Sequence, residues 1–353
     1  FISCLNGKLF VMKKVNNIWD LQSQVVFEIP NLNVYGQRGL VGCFLSENFD
    51  IDNEFIVNRI YLTYQQLVNN VGYNKCAYIE CRKDNDKIIG MNFKVVYELN
   101  AFSSAHQIMD GWIKDEKVYI VVGDQWDAVM SQDMSSDKGK IICIDLEGNN
   151  KQIVARGIRD PYCVKKLSYK QDNLERVLAV ANGNSIARLW FCGIDVNKPV
   201  IDLGWTGNDN DISWSNVTDT NHPGMLKPNA VLYTWENDPS PNGLDIFDND
   251  NSVFQRSNIL PLPVDNEKIT CIQSFFGKGN TNPPENFEKS ICVSQVSNIN
   301  GAQPGYTIFK IIERKEEYVD VLGSPLTVSI DQTTGDCIFV DVITGEISKI
   351  VFL

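Results

Sequence analysis

Hydrophobic residues recur along the chain in short runs that are continuously apolar or alternate with polar residues. Clear examples span residues 8–14, 24–29, 59–64, 117–123, 140–146, 176–181, 307–312 and 337–342. Turn-forming letters such as EGNN, NGN, TTGD and ITGE separate the runs. This pattern is typical of β-strands joined by tight turns.

Helical spacing of apolar residues is not found in any window, and the nearest candidate, QQLVNNVG (65–72), is short and ends in glycine. We therefore predict an all-β protein. Regularly spaced short strands form a sandwich, a barrel or a propeller. The 353 residues exceed one sandwich, whereas six blades would take about 59 residues each. We predict a six-bladed β-propeller of four-stranded antiparallel blades, with residues 1–353 as a single domain.

Two stretches rich in Asn, Asp and Pro, residues 207–229 and 236–252, are predicted to be long loops, because the strand pattern resumes after each. The C-terminal residues 327–353 are predicted to form three strands joined by two glycine-containing turns. That arrangement matches the outline of one propeller blade.

Composition excludes some functional classes. The chain is 43% hydrophobic and 22% charged, and its formal net charge is −12. An acidic protein lacks the basic surface expected of a nucleic-acid-binding protein. No apolar run approaches the ~18 residues of a membrane-spanning helix, so no transmembrane segment is predicted.

The ten cysteines include no CxxC pair and no cysteine–histidine group with the spacing of a zinc site. Several lie inside apolar strand-like runs, where a free thiol behaves as a small hydrophobic side chain. The even number also allows disulfides in an oxidising compartment. Both interpretations remain open at the level of sequence.

Only two histidines are present, His106 and His222. His106 lies in a polar loop before the strand-like run KVYIVVG, where an imidazole could act as a general base. The same spacing also suits an ordinary hydrogen-bonded histidine. His222 precedes a proline in a predicted loop, and an ordinary surface role is the simpler interpretation for it.

Three segments, in order along the chain, resemble motifs of one known family. They are GQRGLVGCFLSENF (36–49), the stretch from residue 106 to 148 that contains GDQ, a serine-rich spacer and GKI, and RGIRDPYCV (156–164). The segment 232–247 adds a weaker match. Together they resemble the glucose/sorbosone dehydrogenases, soluble quinoproteins built as six-bladed β-propellers.

The resemblance implies oxidation of an aldose at its anomeric carbon with pyrroloquinoline quinone (PQQ) and Ca²⁺ as cofactors. His106 occupies the position of the proton-accepting histidine, and Gln37 matches a glutamine beside substrate and cofactor. Arg159 and Asp160 match the cofactor-contacting pair, in which the arginine holds a PQQ carboxylate. The implied partners are a sugar and an electron acceptor, and the implied location is outside the cytoplasm.

The chain departs from the family pattern around these positions. Ala105 stands where the family often has an aspartate that orients the histidine, and Ile108 and Met109 replace paired glycines. Asp160 replaces an asparagine and places a carboxylate near an anionic cofactor, which costs binding energy unless a cation offsets it. The family's calcium-binding run has no clear counterpart, so the metal ligands are not assigned.

Acidic residues at alternate positions offer replacement calcium ligands. The candidate groups are Asp50/Asp52/Glu54, Asp209/Asp211 and Asp248/Asp250. None has the glycine and glutamate of an EF-hand loop, and solvated loop carboxylates are the simpler interpretation of all three groups.

Two functions therefore compete, with a third as a minor possibility. The first is a PQQ- and Ca²⁺-dependent aldose dehydrogenase that uses His106, Gln37 and Arg159. The second is a cofactor-less propeller of the same ancestry that acts as a binding or structural protein. The third is an unrelated propeller hydrolase such as a lactonase.

Overall fold

The computed structural model describes residues 1–16, 18–22, 24–32, 34, 39–101, 103, 105–167, 176–182, 186–194, 196–197, 199–207, 229–236, 240–247, 290–297, 305–312, 315–320, 325–330, 337–341 and 347–349. Twenty-five strands and one 3-10 turn (Ala128–Ser131) occur in these ranges, and no α-helix does. The predicted all-β class is confirmed. Two compact units are present, one formed by Phe1–Pro161 and Val196–Gly207, the other by Tyr162–Asp195 and Asn208–Leu353. The single domain stays a prediction.

The strands of the first unit divide into four sheets. Their bounds are β1 (Ile2–Ser3), β2 (Lys8–Phe10), β3 (Met12–Val15), β4 (Ile18–Leu21), β5 (Phe27–Glu28), β6 (Leu40–Leu45), β7 (Asn58–Val68), β8 (Val71–Asp84), β9 (Lys87–Ala101), β10 (Ile108–Lys114), β11 (Lys117–Val122), β12 (Lys140–Asp145), β13 (Gln152–Arg156) and β17 (Ile201–Asp202).

Two of these sheets carry most of the described core. Strands β6 to β9 form an antiparallel four-stranded sheet in chain order, and β10 to β13 form another, with β17 added in parallel beside β13. The register of β7 on β8 runs without interruption from Asn58↔Cys81 to Val68↔Val71, through the turn at Asn69–Asn70. Both turn asparagines have positive φ, which asparagine tolerates better than most residues.

Packing between the two large sheets explains why their strands are so apolar. Val118, Ile120 and Val122 of β11 are fully buried, and they pack in one cluster with Ile142 and Ile144 of β12. Burying a side chain of this size contributes roughly 1.5–3 kcal/mol. A second cluster lies where β2 and β5 meet the inner side chains of β6 to β9. The loops that carry the candidate site therefore extend from two well-packed sheets.

The second unit contains β14 (most of Asp160–Leu167), β15 (Arg176–Asn182), β16 (Ile186–Cys192), β18 (Asn229–Glu236), β19 (Ser240–Phe247), β20 (Ser290–Ser297), β21 (Gly305–Ile312), β22 (Lys315–Asp320), β23 (Pro325–Ile330), β24 (Cys337–Asp341) and β25 (Ile347–Lys349). Two four-stranded sheets, β14-β15-β16-β18 and β19 to β22, precede the three-stranded sheet β23 to β25. The predicted C-terminal set of three antiparallel strands is present.

Most predicted strand runs coincide with observed strands, with two corrections. The run 8–14 is divided at Val11 into β2 and β3. The predicted loop 236–252 is wrong in its centre, because Ser240–Phe247 forms β19 and pairs with β20. Its letters LDI, at residues 244–246, alternate in polarity, a short strand signal that the surrounding Asn, Asp and Pro obscured. Of the predicted loop 207–229, residues 208–228 lie outside the described residues.

Several cysteines among the described residues lie in the first part of the chain. Cys4, Cys76, Cys81 and Cys143 are free thiols. Burial raises the pKa of Cys76, and it raises the pKa of Cys81 to about 12. No helix among the described residues is long and apolar enough to cross a bilayer.

Candidate functional site

His106 lies in the loop between β9 and β10, and the side chain of the next residue fixes the shape of that loop. Gln107 donates hydrogen bonds from Nε2 to the carbonyl oxygens of Ser103 (3.0 Å) and Ala105 (2.6 Å). The Ser103 hydroxyl accepts a hydrogen bond from the Ala105 amide. His106 itself has φ +54°, an unusual value for a residue with a side chain. The loop therefore holds the histidine in one defined orientation.

Two buried amide side chains of the neighbouring sheet anchor the end of this loop. The backbone N–H of Ile108 donates to Asn74 Oδ1 on β8, and Gln65 Nε2 on β7 donates to the carbonyl oxygen of Ile108. Asn74, Gln65 and Ile108 are all fully buried. Buried hydrogen bonds of this kind are costly to break, so the start of β10 is a rigid support for His106.

Asp124 orients the imidazole of His106. It follows β11 and is 2% exposed, and its Oδ1 lies 2.6 Å from His106 Nδ1. The same carboxylate accepts hydrogen bonds from the Trp126 backbone N–H (3.0 Å, to Oδ1) and from the Trp205 indole N–H (2.8 Å, to Oδ2). Because a carboxylate only accepts, the neutral imidazole carries its proton on Nδ1 and presents the Nε2 lone pair.

Backbone contacts join the Asp124 turn to the His106 loop. The Gly123 N–H donates to the Gln107 carbonyl, the Gln125 N–H donates to the His106 carbonyl, and the Asp124 N–H donates to the Arg159 carbonyl. A Cβ on Gly123 would stand 2.3 Å from the His106 carbonyl oxygen. Glycine is therefore required at residue 123, because only its missing side chain lets the two loops approach this closely.

Trp126 covers one face of the imidazole. Its indole stacks on His106 with 4.1 Å between ring centroids, yet 65% of Trp126 is exposed and its φ is +65°. The Arg159 guanidinium carbon lies 5.3 Å from the Trp126 ring centroid and 5.6 Å from that of Trp205, within the range of cation–π attraction. An imidazole accepts a proton in its ring plane, so an indole stacked on its face does not cover the Nε2 atom.

A buried lysine supports Trp205 through the 3-10 turn. The Lys140 ammonium donates to the carbonyl oxygens of Met130, Ser131 and Lys138 at 2.6–2.9 Å. Ser131 in turn donates from Oγ to the Trp205 carbonyl oxygen. Lys140 is fully buried, and burial lowers its pKa to about 8. This chain of contacts leads from Lys140 through Trp205 to Asp124 and His106.

Comparison with known proteins finds one family model that is similar to part of the chain. The glucose/sorbosone dehydrogenase family model matches residues 2–155, which include His106 and Asp124. Residues 2–155 are therefore similar in sequence to the glucose/sorbosone dehydrogenases. No curated protein sequence matches the chain.

Several solved structures share the fold of this chain at low sequence identity. A glucose dehydrogenase matches with a TM-score of 0.60 and 13% identity, covering 100% of this chain and 95% of its own. The PQQ-bound aldose sugar dehydrogenase of Streptomyces coelicolor matches with a TM-score of 0.55, 13% identity and coverage of 97% and 87%. The soluble aldose sugar dehydrogenase of Escherichia coli, in its apo form, gives 0.53, 13% and coverage of 95% and 87%. The predicted β-propeller class is confirmed, and the number of blades stays a prediction.

Three of the residues singled out in the sequence meet at this site. Asp160 Oδ2 lies 4.0 Å from His106 Nε2, and Arg159, the preceding residue, stacks against Trp126. Gln37 lies outside the described residues. His222 also lies outside them.

Sequence reasoning missed the residue that orients the histidine. The expected position for an orienting carboxylate was residue 105, which is alanine, whereas Asp124, 18 residues after His106, supplies it. Trp126 and Trp205 were also missed. The GDQW letters and the Gly-Trp at residues 204–205 were the available signals, but neither indicates which side chains meet in space.

Calcium ligands are not found among the described residues. No group of three or more His, Cys, Asp or Glu side chains there is arranged to hold a metal ion. In the Asp50/Asp52/Glu54 candidate, Asp52 pairs with Lys83 and its backbone N–H donates to Asp50 Oδ1, which is the pattern of a solvated turn. The other two candidate groups, at residues 209–211 and 248–250, lie outside the described residues.

PQQ is trianionic, so the test of fit is which charges surround His106. Arg159 offers a guanidinium that suits a carboxylate, and the flat indoles of Trp126 and Trp205 beside it suit an aromatic ring. These residues fit one edge of the cofactor. Asp160 does not fit it, because its carboxylate repels another carboxylate.

Proposed function

We propose that the chain is an oxidoreductase that removes a hydride and a proton from the anomeric centre of an aldose, with PQQ as cofactor. The observation that carries the proposal is the 2.6 Å contact between His106 Nδ1 and Asp124 Oδ1, both nearly completely buried. Such a pair is a built proton acceptor rather than an ordinary surface histidine. The family match over residues 2–155 supports the reaction class.

The chain's own residues perform the proton transfer. His106 Nε2 accepts the proton of the anomeric hydroxyl, and the Asp124 carboxylate stabilises the imidazolium that forms. Hydrogen bonds from the Trp126 N–H and the Trp205 indole keep that carboxylate in place. As the proton leaves, the C1–H bond gives up its hydride and the sugar becomes a lactone. When bound, PQQ supplies the acceptor for that hydride.

Binding of the cofactor is assigned to Arg159, whose guanidinium would hold a PQQ carboxylate. Gln37 is proposed as a polar group beside the substrate, on the family resemblance alone. Ca²⁺ as a second cofactor, an electron acceptor that reoxidises PQQ, and a location outside the cytoplasm rest on the same resemblance.

A cofactor-less binding protein is the second candidate. The observation that favours it is the Asp160 carboxylate close to His106, together with the lack of a metal-ligand group in the described part of the chain. A protein that has lost its cofactor has no need of a calcium site or of a surface compatible with a trianion.

Thermal melting with PQQ and Ca²⁺ distinguishes the two candidates. A ligand at 100 times its Kd stabilises the folded state by about 2.7 kcal/mol, so a cofactor-binding chain melts higher with PQQ. Dye reduction across a panel of aldoses then measures turnover. The His106→Ala variant is expected to lose turnover, and His222→Ala, the matched control at the other histidine, to keep it. No change in melting together with no turnover on any aldose refutes the enzyme proposal.

A further inference from the structure

The ammonium group of Lys140 is fully buried, and its three hydrogen bonds all go to one loop. Nζ donates to the carbonyl oxygens of Met130 (2.6 Å), Lys138 (2.7 Å) and Ser131 (2.9 Å). An ammonium carries three hydrogens, so each hydrogen has one acceptor. The loop of residues 130–138 is therefore closed around a single charge at the start of β12.

No carboxylate among the described residues binds this ammonium directly. Burial is the largest effect on its pKa and lowers it to about 8. Asp133, Asp137 and Asp202 lie near enough to raise the pKa of Lys140, and Arg156 lowers it. Each of these carboxylates has a closer partner elsewhere in the fold. The ammonium therefore loses its proton in a pH range in which an exposed lysine stays charged.

Loss of that proton removes one of the three hydrogen bonds. A neutral amine has two hydrogens and a lone pair, so one carbonyl oxygen loses its donor and faces the lone pair instead. A buried carbonyl group without a partner is costly, and the repulsion is relieved when the loop moves away from Nζ. The position of residues 130–138 is thus linked to the charge of Lys140.

Ser131 connects this loop to the candidate site. Its Oγ donates to the Trp205 carbonyl oxygen (2.7 Å), and its own carbonyl oxygen accepts from the Gly157 N–H (3.0 Å). The Gly157 carbonyl oxygen in turn accepts from the Trp205 backbone N–H (3.1 Å). The indole N–H of Trp205 donates to Asp124, whose other oxygen contacts His106. A movement of Ser131 therefore changes the position of the indole that binds Asp124.

We propose that Lys140 is a positioning residue whose charged form keeps the indole N–H of Trp205 on the carboxylate of Asp124. When Lys140 is neutral, Ser131 shifts, and the hydrogen bond between Trp205 and Asp124 lengthens. The carboxylate that orients His106 then loses one of its donors, so the site loosens as the pH rises. This inference goes beyond the proposed function, because it concerns a geometry that exists with or without turnover.

The nuclear magnetic resonance signal of the Trp205 indole N–H tests the inference. Isotope-labelled tryptophan gives seven indole signals, and Trp205→Phe identifies the one that belongs to residue 205. Between about pH 7 and pH 9, the charged fraction of a group with a pKa of about 8 falls from about 90% to about 10%. The wild-type signal should therefore shift with a single midpoint near pH 8, toward the position of a weaker hydrogen bond.

Lys140→Gln reproduces the neutral state, because its amide has two hydrogens and no charge. Its Trp205 signal should lie at the high-pH position of the wild type throughout, with no midpoint between about pH 7 and pH 9. Lys151→Gln is the matched control, since the Lys151 side chain is 50% exposed and pairs with Asp137. The control removes a nearby charge and should keep the midpoint of the wild type.

A wild-type signal without a midpoint near pH 8 overturns the inference, and so does a midpoint that persists in Lys140→Gln. Circular dichroism checks folding, and Lys140→Arg replaces the glutamine variant if that one does not fold. The guanidinium stays charged, so the Trp205 signal of Lys140→Arg should remain at the low-pH position, and a midpoint near pH 8 in this variant overturns the inference.

The outcomes separate this inference from the proposed function. A Trp205 signal that follows the charge of Lys140 supports the inference even if no aldose is oxidised, in which case the dehydrogenase proposal alone fails. Turnover of an aldose together with a Trp205 signal that does not depend on Lys140 refutes the inference and leaves the proposed function standing.

Discussion

Replacing Asp124 with asparagine tests whether its carboxylate holds the candidate site together. The Asp124 Oδ1 atom receives the contacts of His106 Nδ1 and the Trp126 N–H, and Oδ2 receives the Trp205 indole N–H at 2.8 Å. An asparagine oxygen can keep the first two contacts. Its NH₂ group then faces the Trp205 N–H, and two donors meet in a buried space.

The cost follows from these contacts. A hydrogen bond to a charged group contributes about 1.5–3 kcal/mol, and a buried donor without an acceptor adds its own desolvation cost. We expect Asp124→Asn to lower the free energy of unfolding by about 2–4 kcal/mol. At roughly 2 °C per kcal/mol for a large domain, the melting temperature should fall by about 4–8 °C. Turnover should fall by about 10²-fold or more, because the imidazolium loses its counter-charge.

Differential scanning fluorimetry measures the melting temperatures, and dye reduction measures turnover. Asp115→Asn is the matched control, because the Asp115 side chain is 82% exposed in a turn. The control should melt within about 1 °C of the wild type. If Asp124→Asn also melts within that range, the buried carboxylate is not a structural support, and the assignment of Asp124 as the residue that positions His106 is refuted.

Three further predictions concern the framework around the site. Gly123→Ala places a Cβ 2.3 Å from the His106 carbonyl oxygen and should destabilise the fold by roughly 1–3 kcal/mol in chemical denaturation, whereas unchanged stability would contradict the close approach. Burial lowers the pKa of Lys140 to about 8, so between about pH 8 and the ordinary 10.5 the protein takes up a proton when it unfolds. The free energy of unfolding of the wild type, relative to that of Lys140→Met, should therefore be constant below pH 8 and rise above it. A difference that stays constant up to pH 10.5 would contradict this prediction. Burial raises the pKa of Cys76 and Cys81, so iodoacetamide at pH 8 should label neither thiol in the native protein and both thiols in denaturant. Peptide mass spectrometry measures the labelling. Rapid labelling of the native protein would show that this part of the core is open to solvent.

Much of the fold could be predicted because the polarity of the residues in each strand reflects how that strand is buried. The run KVYIVVG predicts β11 because residues 118–122 are all hydrophobic, and in the structure all five are buried. The prediction of a loop at 236–252 was wrong in its centre because turn-forming residues there outnumber the few alternating positions of β19. The local sequence predicts such a strand poorly, because the strand is stabilised by pairing with β20, about 50 residues further along the chain.

The candidate site was predictable only in part, because its geometry joins residues distant in sequence. His106 and Arg159 could be proposed from motifs. The partnership of His106 with Asp124 depends on the antiparallel pairing of β10 with β11, which brings the loop before one strand beside the turn after the other. The contact of Trp205 with Asp124 joins positions 81 residues apart, and no spacing rule anticipates it. Similarly, the burial of Lys140 reverses the usual expectation that lysine lies at the surface.

Single-turnover reduction of bound PQQ tests the central claim most directly. Protein loaded with PQQ and Ca²⁺ is mixed rapidly with glucose, and the absorbance of the quinone is followed in the wild type, His106→Ala and the control His222→Ala. If His106 is the proton acceptor, its loss should slow reduction by about 10²- to 10⁴-fold while the control matches the wild type. Equal rates for His106→Ala and the wild type, or no reduction of bound PQQ by glucose or any other aldose in the wild type, would contradict the account.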